Sequence, residues 1–233
     1  MSTIKLLIYD LDGTLIDSRQ DIASAVNWTL SELSLKSLPA EEISAFVGAG
    51  VTHLIGQVLK TVGAGPRARP GSGQPQGVAP AILKRSIKIF RKRYGEHLLD
   101  QTRAYPSVRK VLEFFKARNQ AVITNKPEGF SKTILRGLGI DSYFFRVVGG
   151  DQGFPKKPDP KAVLDILKTA DASPAEALLI GDSAIDVETG RKAGVNTAAV
   201  TYGFGKREEI DKSQPDFLWD YLEELLRCPP LKN

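Results

Sequence analysis

The chain has 233 residues, 42% hydrophobic and 25% charged, with a formal net charge of +5. That length can bury a sizeable core, in one elaborated domain or two modest ones, and a single cysteine, Cys228, excludes an internal disulfide framework and a multi-cysteine zinc site. The positive surplus favours anionic ligands but is too small to mark a nucleic-acid binder, and no apolar stretch approaches the length of a membrane span.

The first predicted element is a strand over 4–10, IKLLIYD. Only a handful of apolar residues follow Lys5 before Asp10 ends them, which is not the pattern of a secretory leader. A reducing, cytoplasmic setting is expected, with neither membrane nor nucleic acid as partner. Asp17 and Ser18 then read as the start of a helix whose apolar stripe is Ile22, Val26, Leu30 and Leu33. Further on, FVGAGVTHLI (46–55) contains Gly48 and Gly50, which either serve a turn between helices or let backbone N–H groups approach an anion. His53 and His97 read as packed or surface residues. Half of the residues in 63–80 are Gly or Pro, which predicts an irregular surface loop. Leu83, Ile87, Phe90 and Tyr94 resume helical spacing, and the six basic residues of 84–93 read as the solvated face of that helix.

From residue 100 the pattern changes. Short runs that are apolar on both faces recur at 120–124, 146–149, 177–181 and 197–202. Amphipathic segments separate them: Val108, Val111, Leu112 and Phe115 share one helical face, as do Val163, Ile166 and Leu167. Strands alternating with helices predict an α/β fold with a Rossmann-like parallel sheet covered by helices on both faces. Residues 1–16 and 100–228 are expected to form this core, 17–99 an inserted helical block, and 229–233 a tail. Ligands of such sheets bind at the carboxyl ends of the strands.

Those ends carry the chemistry. Residues i and i+2 of an extended segment point the same way, so Asp10 and Asp12 address one site. Gly13 permits the turn that follows, and Thr14 completes the stretch. Two carboxylates so close raise each other's pKa unless a cation lies between them, and a hard divalent ion such as Mg²⁺ resolves the conflict. Thr124 and Asn125 follow a second strand, with a hydroxyl and a backbone N–H suited to phosphate oxygens. Lys156 and Lys157 precede a proline turn. Asp182 ends a third strand, with Asp186 four residues on. Taken singly, each of these residues is an ordinary turn, cap or surface group. Together they describe a site for a metal and a phosphoryl group.

Four motifs in order resemble those of the haloacid dehalogenase superfamily of phosphohydrolases. They are Asp10-Leu11-Asp12-Gly13-Thr14, then Thr124, then Lys157-Pro158-Asp159-Pro160, and Gly181-Asp182-Ser183-Ala184-Ile185-Asp186. The resemblance implies that Asp10 is the nucleophile, forming an aspartyl-phosphate, and that Asp12 is the general acid/base. It implies Mg²⁺ held by the carboxylates of Asp10 and Asp182 and the backbone carbonyl of Asp12. Asp186 would orient Lys157 or hold waters of the metal. Thr124, Asn125 and Lys157 would bind the transferred phosphoryl oxygens. Ala184-Ile185 departs from the Arg-Asn or Pro-Asn of many relatives, which bears on a polar contact beside the metal rather than on the metal site. Under the same resemblance, 17–99 is a cap that closes over the site, and 46–55 is its substrate loop.

Motif order, the helical insertion, YPSV at 105–108 and TNKP at 124–127 are most similar to the phosphoglycolate phosphatase group. A small phosphomonoester bearing a carboxylate is the substrate this implies, for a monomer or homodimer. The second aspartate argues against a dehalogenase or a phosphonate-cleaving relative. A β-phosphoglucomutase-like mutase, a pyrophosphatase or a nucleotidase keeps the same core motifs, and a non-catalytic binding protein on the same fold is the remaining reading.

Overall fold

The computed structural model describes residues 3–64 and 78–228. Most of the predicted 63–80 loop and the whole 229–233 tail lie outside them. The chain divides into two compact units, Met1–Ser18 with Thr102–Asn233, and Arg19–Gln101.

In the first unit, β1 (Leu6–Tyr9) is followed by a tight turn and a two-residue strand, β2 (Ile16–Asp17). The second unit then supplies α1 (Arg19–Ser31), α2 (Ala40–Ser44), α3 (Val51–Thr61) and α4 (Pro80–Glu96). The first unit resumes with β3 (Arg103–Ala104), α5 (Val108–Phe114), β4 (Asn119–Ile123), α6 (Glu128–Gly137), β5 (Arg146–Val148) and α7 (Lys161–Thr169). It ends with β6 (Ala177–Gly181), α8 (Ala184–Ala193), β7 (Asn196–Val200), α9 (Arg207–Ser213) and β8 (Phe217–Trp219).

Six strands form one parallel sheet in the order β5-β4-β1-β6-β7-β8. Leu6 of β1 lies opposite Asn119 on one side and Ala177 on the other. β1 and β6 are buried along their whole length, so their continuous apolar runs suit a sheet covered on both faces. Leu6 and Ile8 join Ile123, Val163, Ile166 and Leu179 in one core cluster, the side of the sheet on which α7 packs. Because β1 runs between β4 and β6, the segments leaving those three strands emerge side by side at one sheet edge. β8 is the one strand of this sheet that sequence reading misses: three residues, FLW, at the sheet's end with Leu218 exposed.

The turn after β1 is short. Gly13 N–H donates to the Ile16 carbonyl at 2.9 Å and Leu15 N–H to the Leu11 carbonyl at 2.9 Å. Gly13 has φ +86°, and a Cβ there would stand 2.1 Å from an Asp182 carboxylate oxygen, so both backbone and space require glycine. Ile16 then pairs antiparallel with Ala104, and Asp17 with Arg103.

The second unit is helical. Ile22, Val26 and Leu30 of α1 are buried, as are Leu54, Ile55, Val58 and Leu59 of α3 and Phe90 and Tyr94 of α4. Phe90 and Tyr94 stack with centroids 5.4 Å apart. The Arg93 guanidinium covers the half-exposed Trp28 ring at 4.5 Å. Asp21, in the first turn of α1, accepts the Gln101 N–H on both carboxylate oxygens at 3.0 Å. Lys84, Arg85, Lys88, Arg91 and Lys92 of α4 are exposed. Among the described residues no helix is long and apolar enough to cross a membrane.

Candidate active site

The carboxyl ends of β1, β4 and β6 bring together most of the residues singled out above. Asp10 extends β1 by donating its N–H to the Ile180 carbonyl at 2.8 Å, and the residue is 6% exposed. Asp182 follows β6 at 3% exposure, and Asp186 sits in the first turn of α8 at 1%. One carboxylate oxygen from each of Asp10, Asp182 and Asp186 lies within 4.8 Å of the others. Lys157 brings its Nζ to 2.7 Å from Asp10 Oδ1 and 2.6 Å from Asp186 Oδ1.

The electrostatics follow from burial. Asp10 is pushed up to about 8 by loss of solvent and by Asp186 and Asp182, with Lys157 opposing. Asp182 is pushed up to about 7, again by burial first and then by Asp186. Burial works against the Lys157 ammonium, but Asp10 and Asp186 outweigh it and hold its pKa above the ordinary lysine value. Four buried or nearly buried carboxylates, Asp12 included, face two ammoniums, Lys157 and Lys126, so that with all four ionised two negative charges are in excess. An all-oxygen donor set with that surplus fits a hard divalent cation. Asp10, Asp182 and Asp186 are the residues able to hold it.

Asp186 serves two roles. Its Oδ1 accepts from Lys157, while its Oδ2 accepts the Ser183 hydroxyl at 2.6 Å and the Ser183 N–H at 3.2 Å. It caps α8 and aims Lys157 at once. Asp182 is held comparably: Oδ1 accepts the Thr14 hydroxyl at 3.3 Å, and Oδ2 accepts N–H groups of Phe204 at 2.6 Å and Gly205 at 3.2 Å. The Tyr202 hydroxyl donates to the Thr14 carbonyl at 2.7 Å, tying that strand end back to the β1 turn. Sequence reasoning omits this 202–205 segment. Its signal is position alone, a Gly-rich stretch at the end of β7.

The second strand end divides its labour. The Asn125 side chain donates to the Lys157 carbonyl at 3.2 Å and accepts the Lys157 N–H at 2.9 Å, clamping that lysine's backbone. Thr124 Oγ1 accepts the Lys126 N–H at 3.2 Å and keeps its own proton to donate. Lys126, passed over in the sequence, reaches Asp12 with Nζ 2.8 Å from Oδ1 and 3.1 Å from Oδ2. Asp12 Oδ1 also accepts the Ser18 hydroxyl at 2.5 Å. The Asp12 side chain is thus engaged apart from the Asp10–Asp182–Asp186 cluster.

Gly48 and Gly50 belong to the helical unit, with φ of +114° and +88°. A Cβ at Gly48 would meet nothing within 4 Å, so its backbone conformation rather than crowding selects glycine; Gly50 immediately precedes α3. His97 pairs with Asp100 at 2.8 Å. Cys228 is buried at the end of the last 3-10 turn.

Comparison with known proteins adds independent findings. The model of the haloacid dehalogenase-like hydrolase family matches residues 7–200. A phosphoglycolate phosphatase of Aquifex aeolicus is 34% identical over 226 residues, covering 96% of each chain. One of Pseudomonas putida is 36% identical over 225 residues, 95% of this chain and 78% of that one. Among solved structures, a predicted phosphoglycolate phosphatase of Haemophilus somnus superposes with a TM-score of 0.86 at 28% identity, covering 97% of this chain and 98% of that one.

Proposed function

The chain belongs to the haloacid dehalogenase-like hydrolases, and on that premise we propose that it hydrolyses 2-phosphoglycolate to glycolate and phosphate with Mg²⁺ as cofactor. The observation that carries the reading is Asp10, buried at the end of β1 beside Lys157 and within reach of Asp182 and Asp186. Relatives over a third identical in one case, and just over a third in most, carry this substrate's name across nearly the whole chain.

In this reading an Asp10 oxygen attacks phosphorus, and the bond from phosphorus to the leaving oxygen breaks with its electron pair staying on that oxygen. Asp12 delivers a proton to that oxygen as it leaves. Asp12, now a carboxylate, then takes a proton from a water whose oxygen attacks the phosphorus of the aspartyl-phosphate. Asp10 is regenerated as its bond to phosphorus breaks. Lys157, the Thr124 hydroxyl and backbone N–H groups near Asn125 stabilise charge spread over the phosphoryl oxygens. Asn125 contributes chiefly by fixing Lys157. Asp10 and Asp182, with the Asp12 carbonyl and with Asp186 nearby, would hold Mg²⁺, which would supply electrostatic stabilisation of the transferring group. The helical unit, residues 19–101, serves as the cap that selects the substrate.

A panel of 2-phosphoglycolate, glucose 1-phosphate, nucleotides and pyrophosphate tests the proposal. Phosphate release with Mg²⁺ is expected to be fastest from 2-phosphoglycolate and to stop in chelator. Isomerisation of glucose 1-phosphate without phosphate release would instead identify a mutase, and no release from any compound would end the enzyme reading.

A further inference from the structure

The turn after β4 places two lysines, not one. Asn125 secures Lys157 beside Asp10, and the next residue, Lys126, reaches Asp12. Both partners of the second pair are nearly buried, with side-chain exposures of 5% for Lys126 and 10% for Asp12. Nothing in the four motifs requires a cation at this point. We propose that Lys126 is a positioning residue for proton transfer: with Ser18 it locks the Asp12 carboxylate so that Oδ2 is the oxygen that gives and takes the proton. The proposal rests on the reading of Asp12 as the acid/base.

The asymmetry of the contacts carries it. Asp12 Oδ1 accepts both the Ser18 hydroxyl at 2.5 Å and Lys126 Nζ at 2.8 Å, while Oδ2 has only the longer Lys126 contact at 3.1 Å. Each carboxylate oxygen offers about two lone-pair positions. Oδ1 is therefore saturated and Oδ2 keeps one position open. An aspartate side chain otherwise exchanges among staggered rotamers. Two donors on one oxygen, from positions 18 and 126, select a single orientation.

Lys126 is itself held firmly enough to act as a fixed point. Its N–H donates to Thr124 Oγ1 at 3.2 Å, and its carbonyl accepts the Gly150 N–H at 2.9 Å. A Cβ on Gly150 would stand 2.5 Å from the Asn125 carbonyl oxygen, so only glycine allows that approach. Pro127 follows and narrows the backbone choices of Lys126. The ammonium also neutralises Asp12 locally, keeping a fourth negative charge from bearing fully on Asp10, Asp182 and Asp186. The proton path is then Oδ2 to the leaving oxygen in the first half-reaction and water to Oδ2 in the second.

A leaving-group comparison separates positioning from a merely structural contribution. kcat/KM reports steps up to departure of the alcohol, and p-nitrophenolate departs without needing a proton whereas an alkoxide does not. The test compares p-nitrophenyl phosphate with whichever alkyl phosphate of the panel is turned over fastest. Lys126→Met is expected to lower kcat/KM for the alkyl ester about 10- to 100-fold, mostly in kcat, and for p-nitrophenyl phosphate no more than about 3-fold. Lys126→Arg restores part of the loss, and Ser18→Ala shows the same selectivity to a smaller degree. If Lys126→Met does not fold, as judged by circular dichroism, the selectivity of Lys126→Arg and Ser18→Ala decides in its place. Equal losses on both esters, no loss on either, or a loss confined to KM of a carboxylate-bearing ester overturns the proposal; the last would make Lys126 a substrate anchor. Asp12→Asn is the control. If it treats the two esters alike, the acid reading itself fails; if it discriminates and the Lys126 variants do not, only the role of Lys126 falls.

Discussion

Lys157 Nζ stands within 2.7 Å of both Asp10 and Asp186, with 3% of its side chain exposed. Removing one member of a buried charge cluster strands the others, at a typical cost of about 3–5 kcal/mol. Lys157→Met is therefore expected to lower the urea midpoint substantially without changing the slope, and Mg²⁺ should recover part of the loss by neutralising the same carboxylates. Asp10→Asn should behave oppositely: it removes a buried charge, so the fold persists while turnover falls at least about 10³-fold. Near-normal phosphate release from that variant would remove Asp10 as the nucleophile. At this scale the sequence is informative where side-chain type and spacing carry the signal. The i, i+2 pair of aspartates, the lysine before a proline turn and the Asp182–Asp186 spacing single out groups that the fold brings to one sheet edge. The N–H groups of Phe204 and Gly205 that grip Asp182 have no such signature, because every residue but proline carries one. Lys126 escapes for a different reason: its partner lies 114 positions away, and no local pattern announces that pairing.

An element is only as firm as the face it buries. Ile166 of α7 is fully buried among Leu6, Ile8, Ile123 and Leu179, which belong to the strands that lead to Asp10, Thr124 and Asp182. Ile166→Ala should cost about 2–5 kcal/mol in denaturant unfolding, and it should leave KM largely unchanged because no proposed substrate contact is touched. In the helical unit, Asp21 holds the Gln101 N–H with both oxygens and so closes the start of α1 onto the end of the segment. Asp21→Ala leaves that donor without its partner and is expected to cost about 1–3 kcal/mol, read as faster hydrogen exchange within residues 19–101. The parallel strands are legible because burial on both faces writes itself as an unbroken apolar run, as in LLIY and ALLIG. β8 and the two-residue β2 and β3 are not, since two or three residues are too short for any period to show. Helix ends shift for a similar reason: the stripe of α1 continues to Leu33 in sequence, whereas the helix stops at Ser31.

At the scale of the whole molecule, the buried acidic cluster links stability to both pH and metal. Asp10 and Asp182 are raised from an ordinary value near 3.8 to about 8 and about 7 by burial first and then by repulsion, chiefly from Asp186. In metal-free protein the folded state therefore holds protons through this window that the unfolded chain has already released. Their contribution is fully present below about pH 4 and is lost as pH rises through about 7 and 8, at up to about 1.4 kcal/mol per pH unit for each proton involved. Lys157 does not offset this trend, because its raised pKa makes a contribution that stays constant throughout the window. A divalent cation needs the same carboxylates ionised, so it competes with protons and binds more tightly as they leave. Thermal melts in chelator should consequently show Tm falling from pH 5 to pH 8. Added Mg²⁺ should raise Tm at every pH, with the larger increment at pH 8 than at pH 6. At a concentration 100-fold above its dissociation constant the ion would contribute about 2.7 kcal/mol. The Asp182→Asn variant, lacking one proposed ligand, should lose most of that increment while still folding. An increment of equal size at both pH values would mean that the cation binds elsewhere than among Asp10, Asp182 and Asp186.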